Sequence, residues 1–364
     1  MTLDLGHNQA FVSAILDGMN DAVLVVNENR QVVYANKALH DMFRLGIDPV
    51  GRELMEVVLD HRINAVIEQA LEGGTPTEEE VALTRLPGAE RKNVILKVDA
   101  APLASDSGEM QARVILKDDT ARAEMEQMRR DFVANASHEL RTPLSIINGY
   151  VENLMDGAVE DPGLAQRFLS IMKKHGDRIA RIVEDMLTIS KFESAENPTK
   201  VGVFDLLSCV NDVIERLQPV IEDKQSSVTL VTDDWPKALL AGDRFYWDQI
   251  FFNLIENALK QNLRPNLKVI VKISETHSGH YQISITDDGV GIPQADLPFI
   301  FHRFYRVEKH HSQGIKGTGL GLSIVKRAIE SHGGEVTASS TPGEQTTFTI
   351  SVPKGNVSRG DVTD

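Results

Sequence analysis

The chain has 364 residues, a formal net charge of -15, 41% hydrophobic and 25% charged residues, the composition of a soluble globular protein with two or three domains. The acidic balance argues against binding nucleic acid or anionic membrane surfaces, which need clustered Lys and Arg. A single cysteine, Cys209, excludes an internal disulfide and fits a reducing, cytoplasmic setting, and neither a membrane span of ~18–20 apolar residues nor a signal sequence is present.

After an N-terminal segment, 1–9, residues 10–119 read as a small mixed α/β domain. Short strands at 22–26 and 31–35 flank a turn, and helices follow at 37–45 and 60–72, the second closed by Gly73 and Gly74. Alternation at Val94, Leu96, Val98 and Ala100, and again at Met110, Ala112, Val114 and Leu116, predicts two half-buried strands. This order, with Asp21-Ala22, Val33-Tyr34-Ala35-Asn36 and the closing Asp118-Asp119-Thr120, resembles a PAS sensory domain. The resemblance implies a sheet with a pocket that holds a ligand in some members and is empty in others, so no ligand is assigned. His40 and His61 read as structural or solvated residues rather than haem ligands. Cys209 lies far outside this domain, which rules out a flavin–cysteine photoadduct there.

Residues 120–195 form two long helices. Met125, Met128, Phe132, Ala136, Leu140, Leu144, Ile147, Val151 and Leu154 recur at steps of three and four, an amphipathic stripe. His138 points roughly opposite the stripe, with Glu139 flanking it and Thr142 one turn on. Pro143 has two readings. Inside a helix it forfeits a hydrogen bond to the Glu139 carbonyl and costs about 3 kcal/mol; alternatively, Thr142 caps a second helix with Pro143 at its first position. The unbroken stripe argues for the first. The Pro- and Gly-containing stretch 156–163 ends this helix, and a second follows at 164–192, with His175 on its apolar face as a core residue. Such a hairpin leaves an apolar face uncovered unless two chains combine into a four-helix bundle.

Residues 196–354 alternate again: helix 205–224, strand 228–231, helix 243–260, strands 268–274 and 281–286, helix 321–332, and strands near 336 and at 347–352, before a polar tail at 355–364 read as disordered. Asn253 and Asn257 share a helical face, with Lys260 three residues on; amide oxygens suit Mg²⁺ and an ammonium suits phosphate. Asp287, Gly289 and Gly291 follow a strand, so that a carboxylate waits at its end while the backbone can approach a ligand at both glycines. Gly317, Thr318, Gly319, Leu320 and Gly321 open directly into a helix, leaving backbone amides free for phosphate.

Together these residues resemble the Bergerat-type α/β sandwich of sensor histidine kinases, a domain shared with type II topoisomerases, Hsp90 chaperones and MutL proteins. The resemblance spans 201–353 and includes the asparagine box, both glycine boxes and a phenylalanine-rich segment, 299–306. It implies that Asp287 bonds the adenine amino group, that Asn257 with Asn253 holds Mg²⁺, that Lys260 and Arg306 approach the phosphates of ATP, and that 307–316 forms a lid. One departure is Gln261-Asn262, where the family has an aromatic followed by Ser or Thr. The segment 137–144, Ser-His-Glu-Leu-Arg-Thr-Pro-Leu, is similar to the phosphoacceptor box of histidine kinases of the phosphate-regulon type, which the other relatives lack. The expectation is therefore a multidomain α+β, homodimeric, cytoplasmic sensor histidine kinase without a membrane span. Catalytic roles fall to His138, Glu139 and Thr142, and the partner is a response regulator receiver domain on another chain. The competing expectation is an ATP-driven conformational protein of the topoisomerase, chaperone or MutL class, without phosphotransfer.

Overall fold

The computed structural model describes residues 5–73, 75–85, 92–104, 109–193, 202–233, 237–262, 265–276, 279–307 and 317–355. The expected lid from 308 to 316, the tail from 356 and Gly74 lie outside them. The chain divides into two compact units, Met1–Asp131 and Phe132–Asp364.

In the first unit, helix α1 (Leu5–Asp17) precedes strands β1 (Ala22–Asn27) and β2 (Val32–Ala35). Helices α2 (Lys37–Phe43), α3 (Leu54–Val57) and α4 (His61–Gly73) lead to strands β3 (Thr77–Arg85), β4 (Lys92–Ala104) and β5 (Met110–Asp118). The strands form one sheet ordered β2-β1-β5-β4-β3, antiparallel throughout. Its inward residues Leu24, Val98, Val114 and Leu116 pack with Leu39, Leu54, Ile63 and Ile67 of the helices. Buried Asn36 knits the entry. Its Oδ1 accepts from Val23 N and Leu39 N at 2.9 and 3.1 Å, and its Nδ2 donates to the carbonyls of Leu16 and Asp21. Strand β3 was not expected from the sequence, because Glu78, Glu79 and Glu80 obscure an alternation that only Val81 and Leu83 carry inward. The exit is built by Thr120, whose Oγ1 accepts from Ile95 N at 2.9 Å while its N–H donates to the Asp118 carboxylate at 3.0 Å.

Thr120 opens helix α5 (Thr120–Met155), which is continuous through Pro143. The reading of a helix boundary at Thr142 is thereby set aside. A single 3-10 turn at Ala158–Glu160 separates it from α6 (Pro162–Glu193). Pro162 occupies the first helical position, where no donor is wanted, and Asp161 caps the turn by accepting from Gly163 N and Leu164 N. The second unit contains the hairpin from Phe132 onward. Its helices meet at Tyr150 and Phe168, with ring centroids 4.8 Å apart. The stripe of α5 divides here: Ala136 is buried, but Leu144 and Val151 are exposed, and on α6 Leu169, Val183 and Leu187 are exposed as well. One hairpin covers only one edge of each helix.

The remainder is a sandwich. Strands β7 (Ser227–Thr232), β9 (Lys268–Glu275), β10 (His280–Asp287), β11 (Glu335–Thr341) and β12 (Gln345–Pro353) form a sheet ordered β11-β12-β10-β9-β7, parallel only at β7–β9. Helices α7 (Leu206–Asp223), α8 (Arg244–Gln261) and α9 (Gly321–Ser331) cover one face. Trp247, Phe251 and Leu254 fill the layer between helices and sheet with Val271, Ile283 and Ile350. A two-stranded ribbon, β6 (Gly202–Asp205) with β8 (Leu239–Gly242), escaped the sequence reading because four residues carry no period.

Candidate functional site

His138 lies on the outside of α5, exposed beside exposed Arg141 and Thr142. The Thr142 hydroxyl donates to the His138 carbonyl at 3.3 Å, the back-bond that helical threonines make. Pro143 beneath them has no N–H to give the Glu139 carbonyl. Glu139, turned about 100° from His138 around the helix, reaches α6, where its Oε2 accepts from Arg178 Nη2 at 2.7 Å. The carboxylate flanking His138, expected to share in catalysis, is thus held by a guanidinium in this arrangement.

On α8, Asn253 and Asn257 are half-buried one turn apart. The Asn253 Nδ2 is buried without a hydrogen-bond partner among the described residues. A Cβ on Gly321 would stand 2.9 Å from Asn253 Oδ1, so this glycine lets α9 begin against α8. Lys260 pairs with Glu256 at 2.6 Å, and Arg181 of α6 comes within 3.6 Å of the same carboxylate oxygen.

Asp287 closes β10 with its side chain buried. Burial pushes its pKa above the ordinary carboxylate value, opposed by hydrogen bonds from Asn262 and from the Gly289 backbone. Both bonds fall on Oδ1, at 3.2 Å from Asn262 Nδ2 and 3.1 Å from Gly289 N. At Gly289 and Gly291 the lack of a side chain also serves packing within the protein. A Cβ on Gly289 would meet the Asn262 carboxamide at 2.0 Å, and one on Gly291, at φ +70°, would meet the Thr341 carbonyl at 2.5 Å.

The second glycine segment clasps the phenylalanine-rich one. Gly319, at φ +73°, leaves no space for a Cβ beside the Phe304 backbone, and its carbonyl accepts from Phe304 N at 2.8 Å. Gly317 faces open space. Helix α9 begins at Gly321 with no side chain capping its first turn, which leaves backbone N–H groups for an anion. Arg306 is exposed at the end of the neighbouring segment. Both segments rest on the hairpin. Thr318 Oγ1 donates to Asp185 Oδ2 at 3.0 Å, Leu320 is buried with Ile189 and Ile324, and Phe132 meets the Phe304 ring, 5.8 Å away, and carries the Arg303 guanidinium over its own ring. Burial pushes the Asp185 carboxyl up to about 6, with Thr318 and Arg181 opposing.

The fold therefore gathers Asn253 with Gly321, and Asp287 with Gly289, while His138 and Thr142 stand apart on the hairpin. Phe132, at the docking contact, precedes His138 by six residues, about 9 Å of helix axis. Arg178, Asp185 and Asn262 were not among the expected site residues. Asn262 alone had left a sign, as the departure from the family pattern.

Three family models match in succession: a PAS fold over residues 16–124, a His Kinase A phospho-acceptor domain over 128–195, and a histidine kinase-, DNA gyrase B- and HSP90-like ATPase over 242–356. The chain is similar to the sensor histidine kinase WalK of Bacillus subtilis, 29% identical over 94% of this chain and 55% of that one. It is also similar to a WalK sensor protein kinase of Staphylococcus aureus, 34% identical over 75% of this chain and 65% of that one. The chain spans about half the length of most of the curated relatives it matches. Among solved structures, the histidine kinase ThkA, crystallised with the response regulator protein TrrA, superposes with a TM-score of 0.53 at 21% identity, covering 94% of this chain and 98% of that one, a likeness of fold. Among the described residues no helix is long and apolar enough to cross a membrane. With all three domain types in this order, the chain belongs to the sensor histidine kinases of two-component systems.

Proposed function

We propose that this chain is an ATP-dependent protein histidine kinase. His138 takes the γ-phosphoryl group of ATP and passes it to an aspartate of a response regulator receiver domain, and Thr142 serves the opposing reaction, in which water hydrolyses that aspartyl phosphate and releases inorganic phosphate. The working parts are a PAS-like sensor at 10–119, a dimerising phosphotransfer hairpin at 120–195 and a nucleotide-binding sandwich at 196–354. One observation carries the reading: an exposed imidazole stands on a hairpin in the same compact unit as a buried carboxylate and an uncapped, glycine-led helix N-terminus.

The residues present fit a magnesium nucleotide. The buried, unpartnered amide of Asn253 offers a polar group to a ligand, and Asp287 keeps Oδ2 for an adenine amino group, since its bonds among the described residues use Oδ1. The backbone amides of the Gly317–Gly321 segment other than Leu320 N, which donates to Thr318 Oγ1 at 3.2 Å, and the cations Lys260 and Arg306 answer phosphate charge. Mg²⁺, held by the Asn257 and Asn253 amide oxygens, would supply neutralisation of the triphosphate. A lone pair of the neutral His138 ring attacks the γ-phosphorus, the bond to the bridging oxygen breaks with ADP leaving, and the proton on the other ring nitrogen passes to Glu139 once Arg178 releases it. In dephosphorylation the Thr142 hydroxyl holds the attacking water.

The alternative, a conformational ATPase of the topoisomerase, chaperone or MutL kind, has no use for a phosphoacceptor helix, and the phospho-acceptor match over 128–195 disfavours it. Incubating the chain with γ-labelled ATP tests the reading. Acid-labile, base-stable label should form and should vanish in His138→Ala, which keeps ATP binding; label persisting in that variant overturns it.

A further inference from the structure

Asn262 follows the last turn of α8, 2% exposed. Its Nδ2 donates to the Ala258 carbonyl at 2.8 Å and to Asp287 Oδ1 at 3.2 Å, and its Oδ1 accepts from Val290 N at 2.6 Å. The orientation of the amide is therefore determined: turned over, it would set its oxygen against two acceptors and its NH₂ against a donor. Its backbone is pinned as well, the carbonyl accepting from Lys224 Nζ at 2.9 Å. Gly289 completes the arrangement, since any side chain there would occupy the carboxamide's position. A Ser or Thr hydroxyl, with one proton, cannot serve both Ala258 and Asp287 as donor and also accept with the reach of a carboxamide.

We infer that Asn262 is the positioning residue for base recognition: by fixing Oδ1 of Asp287 and the turn at Gly289 and Val290, it aims Oδ2 at the amino group of a 6-aminopurine nucleotide. This rests on the reading of Asp287 as the adenine contact. The physical basis is that a carboxylate restrained at one oxygen loses little freedom when its other oxygen accepts a ligand bond. The Asn262 bond also favours the ionised, accepting form of a carboxylate that burial pushes toward protonation.

The test compares ATP with purine riboside triphosphate, which lacks the 6-amino group, in binding to the full chain. The parent should prefer ATP by about tenfold or more, and Asp287→Asn should lose that preference. Asn262→Ala should lose most of the preference by weakening ATP, with purine riboside triphosphate bound within about twofold of the parent. The ATP affinity of this variant should also fall off at a higher pH than that of the parent, because Asp287 has lost a bond that favours its ionised form. Should Asn262→Ala fail to fold, Asn262→Ser is read in the same way. An Asn262 variant that keeps the full preference while Asp287→Asn loses it overturns the inference alone. A parent without any preference overturns the adenine reading and the inference with it.

Discussion

Glu139 and Arg178, 39 residues apart in the chain, form an ion pair across the helical hairpin at 2.7 Å, on the turn that carries His138. A partly buried, charge-assisted bond of this kind is worth about 1.5–3 kcal/mol, enough to hold the carboxylate away from the imidazole. Arg178→Met is therefore expected to raise the initial rate of His138 phosphorylation by about tenfold or more, while Glu139→Ala lowers it by about two to four orders of magnitude, the range for loss of a general base. Acid-labile label measured over the first turnovers decides the matter. A slower Arg178→Met variant would mean that the arginine presents the carboxylate to the ring rather than withholding it.

The second pairing, Asp185 with Thr318, makes docking of the sandwich on the hairpin sensitive to pH. Around Asp185 lie Thr318, Arg181, Glu184 and Glu256, and burial dominates, pushing the carboxyl up to about 6. Released into water it would return to roughly 3.9, so the docked form binds its proton more tightly. Docking is then strongest below about pH 4 and weakens as the pH rises to about 6, staying weak above. Asp185→Asn, a mimic of the protonated acid, should flatten this dependence and strengthen docking at neutral pH. Fluorescence energy transfer between labels on α6 and on the sandwich, followed across that range, should report it; an unchanged slope in the variant would assign the pH effect to another group.

Both pairings mark what the sequence left unreadable. Periodicity gave α5 and α6 nearly to the residue, since each long helix repeats its pattern many times. The boxes around Asn253, Asp287 and Gly319 were legible because each is a contiguous run on one element, the second half of α8, the end of β10 and the start of α9. Side chains such as Arg178, Asp185 and Asn262 meet their partners across elements, and no local pattern encodes such a meeting. The short strands β6 and β8 failed for a different reason, having too few residues for a period. Pro143 was legible as an anomaly with two readings, and the continuous helix from Thr120 to Met155 showed that the chain passes through it.

Thr142 and His138 share one helix face and are already joined, hydroxyl to carbonyl. Removing that hydroxyl together with the γ-methyl disturbs no packing, since Thr142 is exposed. Thr142→Ala should leave the autophosphorylation rate within about twofold and slow dephosphorylation of the partner regulator by about tenfold or more. Measuring both reactions on one preparation separates the roles, because equal loss of the two would indicate damage to the helix instead.

The exposed edge of the hairpin calls for a second copy of the chain. Leu144 and Leu187 retain 51% and 58% of their accessible surface, and Val151, Leu169 and Val183 extend the same uncovered apolar character along both helices. Burying such side chains contributes about 1.5–3 kcal/mol each, so pairing two hairpins into a four-helix bundle is strongly favoured. Leu187→Glu would set a carboxylate in that interface, in two copies by symmetry, at a cost of several kcal/mol for each unpaired charge. The expected result is a dimer dissociation constant raised by about a hundredfold or more, read by sedimentation equilibrium, with the folded sandwich intact by its near-ultraviolet signature from Trp247. A variant that stays dimeric at micromolar concentration would place the dimer contact elsewhere on the chain.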